Sequence, residues 1–173
     1  MSLFEEQLKG GHPNSLGNTV AVVEQVLANP DQFDPLFLCY HSDNEVVRLR
    51  TSNAMKRIGK ENLLLLVPYI DRFLEEISKI DQASAQWTLA QLFDALKNHM
   101  SVEQKQRAVI VMKDNLTNHT DWIVLNQTIN TLTKWSKKDP DLKQWLLPHL
   151  KRLAKDNRKS VSGRAQKMLQ QLA

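Results

Sequence analysis

Asp43-Asn-Glu-Val-Val47-Arg-Leu-Arg50-Thr51-Ser-Asn53-Ala54-Met55-Lys-Arg57-Ile58 decides the fold. Val47, Thr51, Ala54, Met55 and Ile58 stand at i, i+4, i+7, i+8 and i+11, which is one face of an α-helix. The spacing returns at Ala85, Leu89, Leu92, Phe93 and Leu96, then at Val124, Thr128, Thr131, Leu132 and Trp135, with Leu125 and Ile129 widening that stripe. A last copy runs Val161, Ala165, Met168, Leu169 and Leu172. The four starting points are 38, 39 and 37 residues apart. A degenerate earlier copy is predicted at Leu16, Val20, Val23 and Leu27, with Glu24 in its second apolar slot.

The segments between these helices repeat as well. Leu65-Leu-Val-Pro68-Tyr-Ile-Asp-Arg72-Phe-Leu matches Trp145-Leu-Leu-Pro148-His-Leu-Lys-Arg152-Leu-Ala, 80 residues on. Pro35-Leu-Phe-Leu and Arg107-Ala-Val-Ile take the corresponding places in the copies around them. A proline within a helical run removes a hydrogen bond and bends the chain, so the two prolines predict a shared bend. Asn29-Pro30, Ser42-Asp43, Ile80-Asp81, Thr120-Asp121, Asp139-Pro140 and Ser160 read as helix boundaries. No stretch alternates with period two, so strands are not expected. Two helices per period of about 38 residues predict an all-α chain of stacked helix pairs, since no pair buries its apolar face alone.

Asp43, Val47-Arg48 and Ala54 through Ile58 resemble the second helix of a HEAT repeat, and Lys159-Ser-Val161-Ser-Gly-Arg-Ala165 is similar. The likeness spans residues 14–173, after a lead-in of residues 1–13 with room for a short helix. It implies a right-handed α-solenoid of four to five antiparallel helix pairs forming one domain. The family's arginine is replaced by Gln86, Leu125 and Ser162, so its Asp–Arg ladder between repeats is mostly missing. The chain as a whole resembles stand-alone bacterial HEAT-repeat proteins, a likeness that implies no activity.

The resemblance also implies that the second helices line a concave side. Turning 100° per residue, their polar positions sort into columns. Three, six and ten residues past the starting points stand Arg50, Gln127 and Arg164; Asn53, Gln91, Asn130 and Lys167; and Arg57 and Lys134. These columns hold no carboxylate, and predict a polar, basic groove suited to a protein or an acidic peptide. Asn126 and Trp87 share a fourth column opposite the core stripe. There Trp87 suits either a binding hot spot or packing between repeats. Trp122, Trp135 and Trp145 are expected in the core.

Charge is uneven along the chain. Residues 1–133 carry 12 Lys/Arg against 16 Asp/Glu, and residues 134–173 carry 11 against 3. A basic C-terminal quarter makes nucleic acid the alternative partner, as one group of HEAT-like proteins are DNA glycosylases, although none of their catalytic residues maps onto this sequence. No Gly-rich phosphate loop and no Gly-x-Ser-x-Gly elbow is present, and Glu5-Glu6 and Glu75-Glu76 are adjacent and so diverge on a helix. The five histidines lack metal-ligand spacing, and Cys39 in the apolar run Leu36 to Tyr40 reads as a core thiol. The expectation is a non-enzymatic protein without metal or cofactor. No apolar run exceeds five residues and the first residues are acidic, so a cytoplasmic protein with no membrane span is expected.

Overall fold

The computed structural model describes residues 3–173, and every regular element among them is helical. In chain order these are α1 (Leu3–Leu8), α2 (Thr19–Ala28), α3 (Phe33–Phe37), α4 (Glu45–Glu61) and α5 (Ile70–Glu75). They continue as α6 (Ala83–Leu96), α7 (Val102–Asn118), α8 (Trp122–Ser136), α9 (Pro140–Leu153) and α10 (Lys159–Leu172).

Side-chain caps explain where several helices begin. Asn44 Oδ1 accepts from Val46 and Val47 N–H, and Asp121 Oδ1 accepts from Ile123 and Val124 N–H. Ser101 and Gln104 form a reciprocal capping box on α7. Asp139 caps α9, with Pro140 at its first position, where a missing N–H costs nothing. Three predicted boundaries move by one or two residues: the caps are Asn44, Gln82 and Arg158 rather than Asp43, Asp81 and Ser160.

The stripes of α4, α6 and α8 are buried throughout, and α10 leaves only Leu169 half-buried. The earliest copy sits differently. Leu16 lies in the loop before α2 and Val20 is exposed; of the predicted stripe Val23 is buried and Leu27 half-buried, and Thr19, Val22 and Val26 complete the inward face. The helix starts only at Thr19, so a stripe counted from Leu16 is out of register. The paired prolines do not share a bend either. Pro148 lies inside the continuous helix α9, whereas Pro68 is the second residue of one of two 3-10 turns that precede α5. α9 is capped and running two turns ahead of its proline, and the stretch before Pro68 has no side-chain cap.

Helices α2, α4, α6, α8 and α10 pack each against the next, α7 packs on α5 and α8, and α9 packs on α8 and α10. The buried apolar side chains form one continuous cluster from Phe4 to Leu172. Near its N-terminal end Phe37 meets Tyr40 and Phe73 edge-on, at 5.4 and 5.3 Å between centroids. Arg72 lies over the Phe37 ring at 4.4 Å.

The odd-numbered helices are joined by a succession of arginines, each reaching one odd helix back. Arg72 Nη1 meets Asp34 at 3.0 Å and Arg107 Nη2 meets Glu75 at 3.1 Å. Arg152 Nη2 has no carboxylate to meet and donates to the Leu116 carbonyl at 3.1 Å. Links also run between the even helices: Arg48 Nε donates to Gln82 Oε1 at 2.6 Å, ahead of α6. Gln86 donates to the carbonyls of Ile77, Ser78 and Ile80 and accepts from Asn115.

On α9 the rings of Trp145 and His149 stack with centroids 4.1 Å apart. Burial, then Arg152 and Lys113, holds the His149 imidazole below its ordinary pKa. A lowered folded pKa means the unfolded chain takes the proton first. The stabilisation is therefore complete above the unfolded value of about 6.5 and is lost as pH falls through it toward the folded pKa. An NMR titration of the His149 ring is expected to give a midpoint below the ordinary imidazole value of about 6.5. The His149→Gln variant should show a flatter stability profile between about pH 7 and 5.

Candidate protein-interaction surface

Each even-numbered helix between α2 and α10 has a neighbour on both flanks, so its buried surface is far wider than the stripe facing the core. Positions three residues past the starting points fall on a flank, and on α8 the neighbours also cover the position two past. Arg50 and Asn126 are accordingly only 1% and 6% exposed, which removes both from the surface predicted for them. Asn126 Oδ1 has no hydrogen-bond partner. The Arg50 guanidinium is a clamp on the loop between α1 and α2. It donates to the carbonyls of Leu8, Gly10, His12 and Ser15 at 2.7, 2.6, 3.2 and 3.4 Å, and to Ser15 Oγ at 3.3 Å. Gly17, with φ +51°, packs against it, and a Cβ there would lie 2.7 Å from the guanidinium carbon.

Toward the C-terminal end the predicted residues engage one another or their neighbours. Gln127 and Asn130 are half-buried, and Asn130 Oδ1 accepts from Arg164 at 3.1 Å. Lys134 Nζ pairs with Asp94 Oδ2 at 2.7 Å, and Trp135 Nε1 donates to the other oxygen of the same carboxylate at 3.1 Å. Asp94 corrects the expectation of a carboxylate-free face: it stands nine residues past Ala85, outside the columns, yet within reach of the next helix. Lys167 is exposed. Of the other basic residues in this quarter, Arg158 is held by Asp156 and the Thr120 carbonyl, and Lys137 reaches Gln171.

The residues that do come together lie on α4. Leu49, Asn53, Lys56, Arg57 and Lys60 stand at i, i+4, i+7, i+8 and i+11, forming one outward stripe. Asn53, Lys56, Arg57 and Lys60 border a hollow of about 410 Å³ against α2, floored by Val20, Val23 and Leu27 and flanked by Glu24 and Glu61. Lys56 and Lys60 also border a hollow of about 360 Å³ against α6, where Gln91 places a buried Oε1 with no hydrogen-bond partner. Arg57 Nε donates to Asn53 Oδ1 at 2.6 Å, and none of the three cations forms an ion pair among the described residues. Burial, then Lys60 and Arg57, lowers the pKa of Lys56, as expected where like charges crowd a partly dry surface.

At its other end the stripe meets an apolar shelf. Pro13, Leu16, Leu49 and Trp87 line a shallow hollow that also includes Asn53. Trp87 is half-buried, one side supported and the other open. Lys56 and Lys60 are not in the predicted columns, yet the i, i+4 pair beside Arg57 was a legible signal of concentrated charge. Trp122 is 49% exposed, against expectation, because two residues ahead of Val124 lies roughly 160° from the core stripe. Trp135 is buried and Trp145 half-buried.

Among the described residues no group of three or more His, Cys, Asp or Glu is placed to hold a metal, and no helix is long and apolar enough to cross a membrane. Cys39 is buried. No family model, curated protein or solved structure matches the chain.

Proposed function

We propose that this chain is a non-enzymatic binding module, a HEAT-like solenoid that holds an acidic segment of a partner protein along α4. The observation that carries it is the α4 stripe: Lys56, Arg57 and Lys60, none with an ion pair, run into a shelf built on Trp87 and Leu49. A segment with an apolar side chain on the shelf places its carboxylates over the cations seven to eleven residues along α4. That distance is about 10–17 Å at the rise of an α-helix. The repeat spacing of the stripes and the chain-order packing of α2 through α10 support the solenoid.

Nucleic acid is less well supported. Lys134, Arg152, Arg158 and Arg164 of the basic quarter are engaged within the chain.

Selection of displayed random 12-residue peptides on the protein tests the proposal. The expected clones carry an aromatic or aliphatic residue followed by carboxylates. Their affinity should fall by roughly 30-fold, or about 2 kcal/mol, in the Lys56→Glu/Arg57→Glu/Lys60→Glu variant, while its melting curve stays close to the parent's. Binding should also weaken with salt, since the charges are exposed. Clones indifferent to the triple reversal would end the assignment to α4, and retardation of a short duplex in place of peptide binding would move it to phosphate.

A further inference from the structure

Helix α7 carries two apolar faces, and only one is packed. Ala108, Met112 and Leu116 are buried against the core. A second stripe at i, i+7 and i+8, Val102, Val109 and Ile110, lies about 100° round the helix. Val102 and Ile110 are 72% and 66% exposed. Single exposed aliphatics are ordinary on a surface, but these form the wall of a concavity. Across it stand Trp135 and Leu142, where the chain turns from α8 into α9, and the groove so formed measures about 600 Å³.

The arginine succession changes beside this groove. Glu75 of α5 is drawn onto α7 by Arg107, whereas α9 is joined to α7 by Arg152 near the latter's C-terminal end and by Lys113 on the Trp145 ring. Toward the N-terminal ends of α7 and α9, Trp135 and Leu142 line the space between them.

Its rim has one sign of charge. Lys97, Lys105, Lys113 and Lys138 border the groove, and none forms an ion pair among the described residues. Lys97 Nζ lies 4.7 Å from the Trp135 ring centre and Lys113 Nζ 4.8 Å from that of Trp145, so two of the cations rest on aromatic faces. The one carboxylate in the lining, Asp139, accepts from the Leu142 N–H as the cap of α9 and is turned to that task. Burial and the neighbouring lysines lower the Lys97 pKa, and Asp94 only partly opposes them.

We propose that this groove docks an acidic amphipathic helix from a partner protein, its apolar side chains on Val102, Val109 and Ile110 and its carboxylates on the four lysines. The dimensions suit that occupant. From Val102 to Lys113 the floor runs about 16 Å, and a helix inserting side chains at i, i+4 and i+7 needs about 10 Å. The groove's wide mouth would leave much of a small molecule in water, whereas enclosed pockets are what small ligands require. The proposal stands independently of the α4 stripe, which lies on a different helix and shares no residue with it.

The probe is a fluorescein-labelled 14-residue helical peptide with Leu at i, i+4, i+7 and i+11 and Glu on both flanks. A matched peptide with Lys for Glu serves as the control. Anisotropy is expected to show binding of the acidic peptide only, with the Trp135 indole resonance shifting on titration. Ile110→Glu and Lys105→Glu/Lys138→Glu should each weaken it roughly 10-fold, and the α4 triple reversal should leave it unchanged. Both variants alter exposed or half-exposed side chains, and unchanged melting curves would show that the fold is intact. No binding, equal binding of the lysine peptide, or indifference to both variants would overturn the proposal. So would a concentration-dependent dimer abolished by Ile110→Glu, or association with phosphatidylserine vesicles in preference to the peptide.

Discussion

Replacing Arg50 with alanine is expected to destabilise the protein by about 3–5 kcal/mol, lowering the melting temperature by roughly 10–15 °C. The guanidinium is buried without a carboxylate, and its charge is met by four carbonyl oxygens and a hydroxyl of the segment between α1 and α2. Truncation leaves a side-chain-sized void and strips these acceptors of their donor. A buried carbonyl without a partner costs about 1–3 kcal/mol, so two such losses and the cavity reach the stated range. Lysine should recover little of it, since an ammonium offers three donors from one point and cannot span acceptors arranged around a planar fork. Hydrogen exchange would locate the effect: amides of residues 9–18 should lose protection first, with those of α6 and α8 following only at global unfolding. A loss below about 1 kcal/mol would show that the loop holds itself.

Phe37→Ala is expected to cost a similar amount, about 3–5 kcal/mol, by another route. Phe37 is fully buried and is the hub of a ring cluster, with Tyr69 at 4.9 Å as well as Tyr40 and Phe73. Alanine removes the ring, leaves a cavity beneath Arg72 and ends three aromatic contacts, each worth about 0.5–1.5 kcal/mol beyond its area. Phe37→Leu refills much of the volume without the ring contacts, so about half the loss should return. The urea midpoint should fall in both variants with the slope unchanged, the sign that native stability rather than denatured-state compactness has moved. A change in slope would instead mean that α1 to α3 unfold apart from the rest.

These two side chains mark different degrees of legibility. Phe37 lies in an apolar run, and its burial follows from composition. Arg50 follows the same i+3 arithmetic as Gln127 and Arg164, and in a sequence the three look alike. Only Arg50 has a glycine-bearing loop, with Gly10, Gly11 and Gly17 all at positive φ, folded over its end. Those glycines were visible, but not what they wrapped. Likewise Trp122 and Trp135 differ by 13 residues on one helix, and the angle from Val124 alone separates the exposed ring from the buried one. Lys56 and Lys60 stand nine and thirteen residues past Val47, directly opposite the core stripe, whereas the columns three, six and ten residues past lie to one side of it.

The sequence by itself determined the all-helical class, the starts of α4, α6, α8, α9 and α10 to within two residues, and the buried stripes of α4, α6, α8 and α10. All of these rest on local geometry: the 100° turn per residue and side chains bonding to amides two or three positions away. The tertiary structure decided which polar face is free. A helix packed by neighbours on both flanks keeps only a narrow outward arc, and where that arc falls depends on partners some 40 residues distant. That is why Arg50 and Asn126 went inside, why Leu49, Asn53, Lys56, Arg57 and Lys60 became a surface, and why α7 keeps an apolar stripe uncovered.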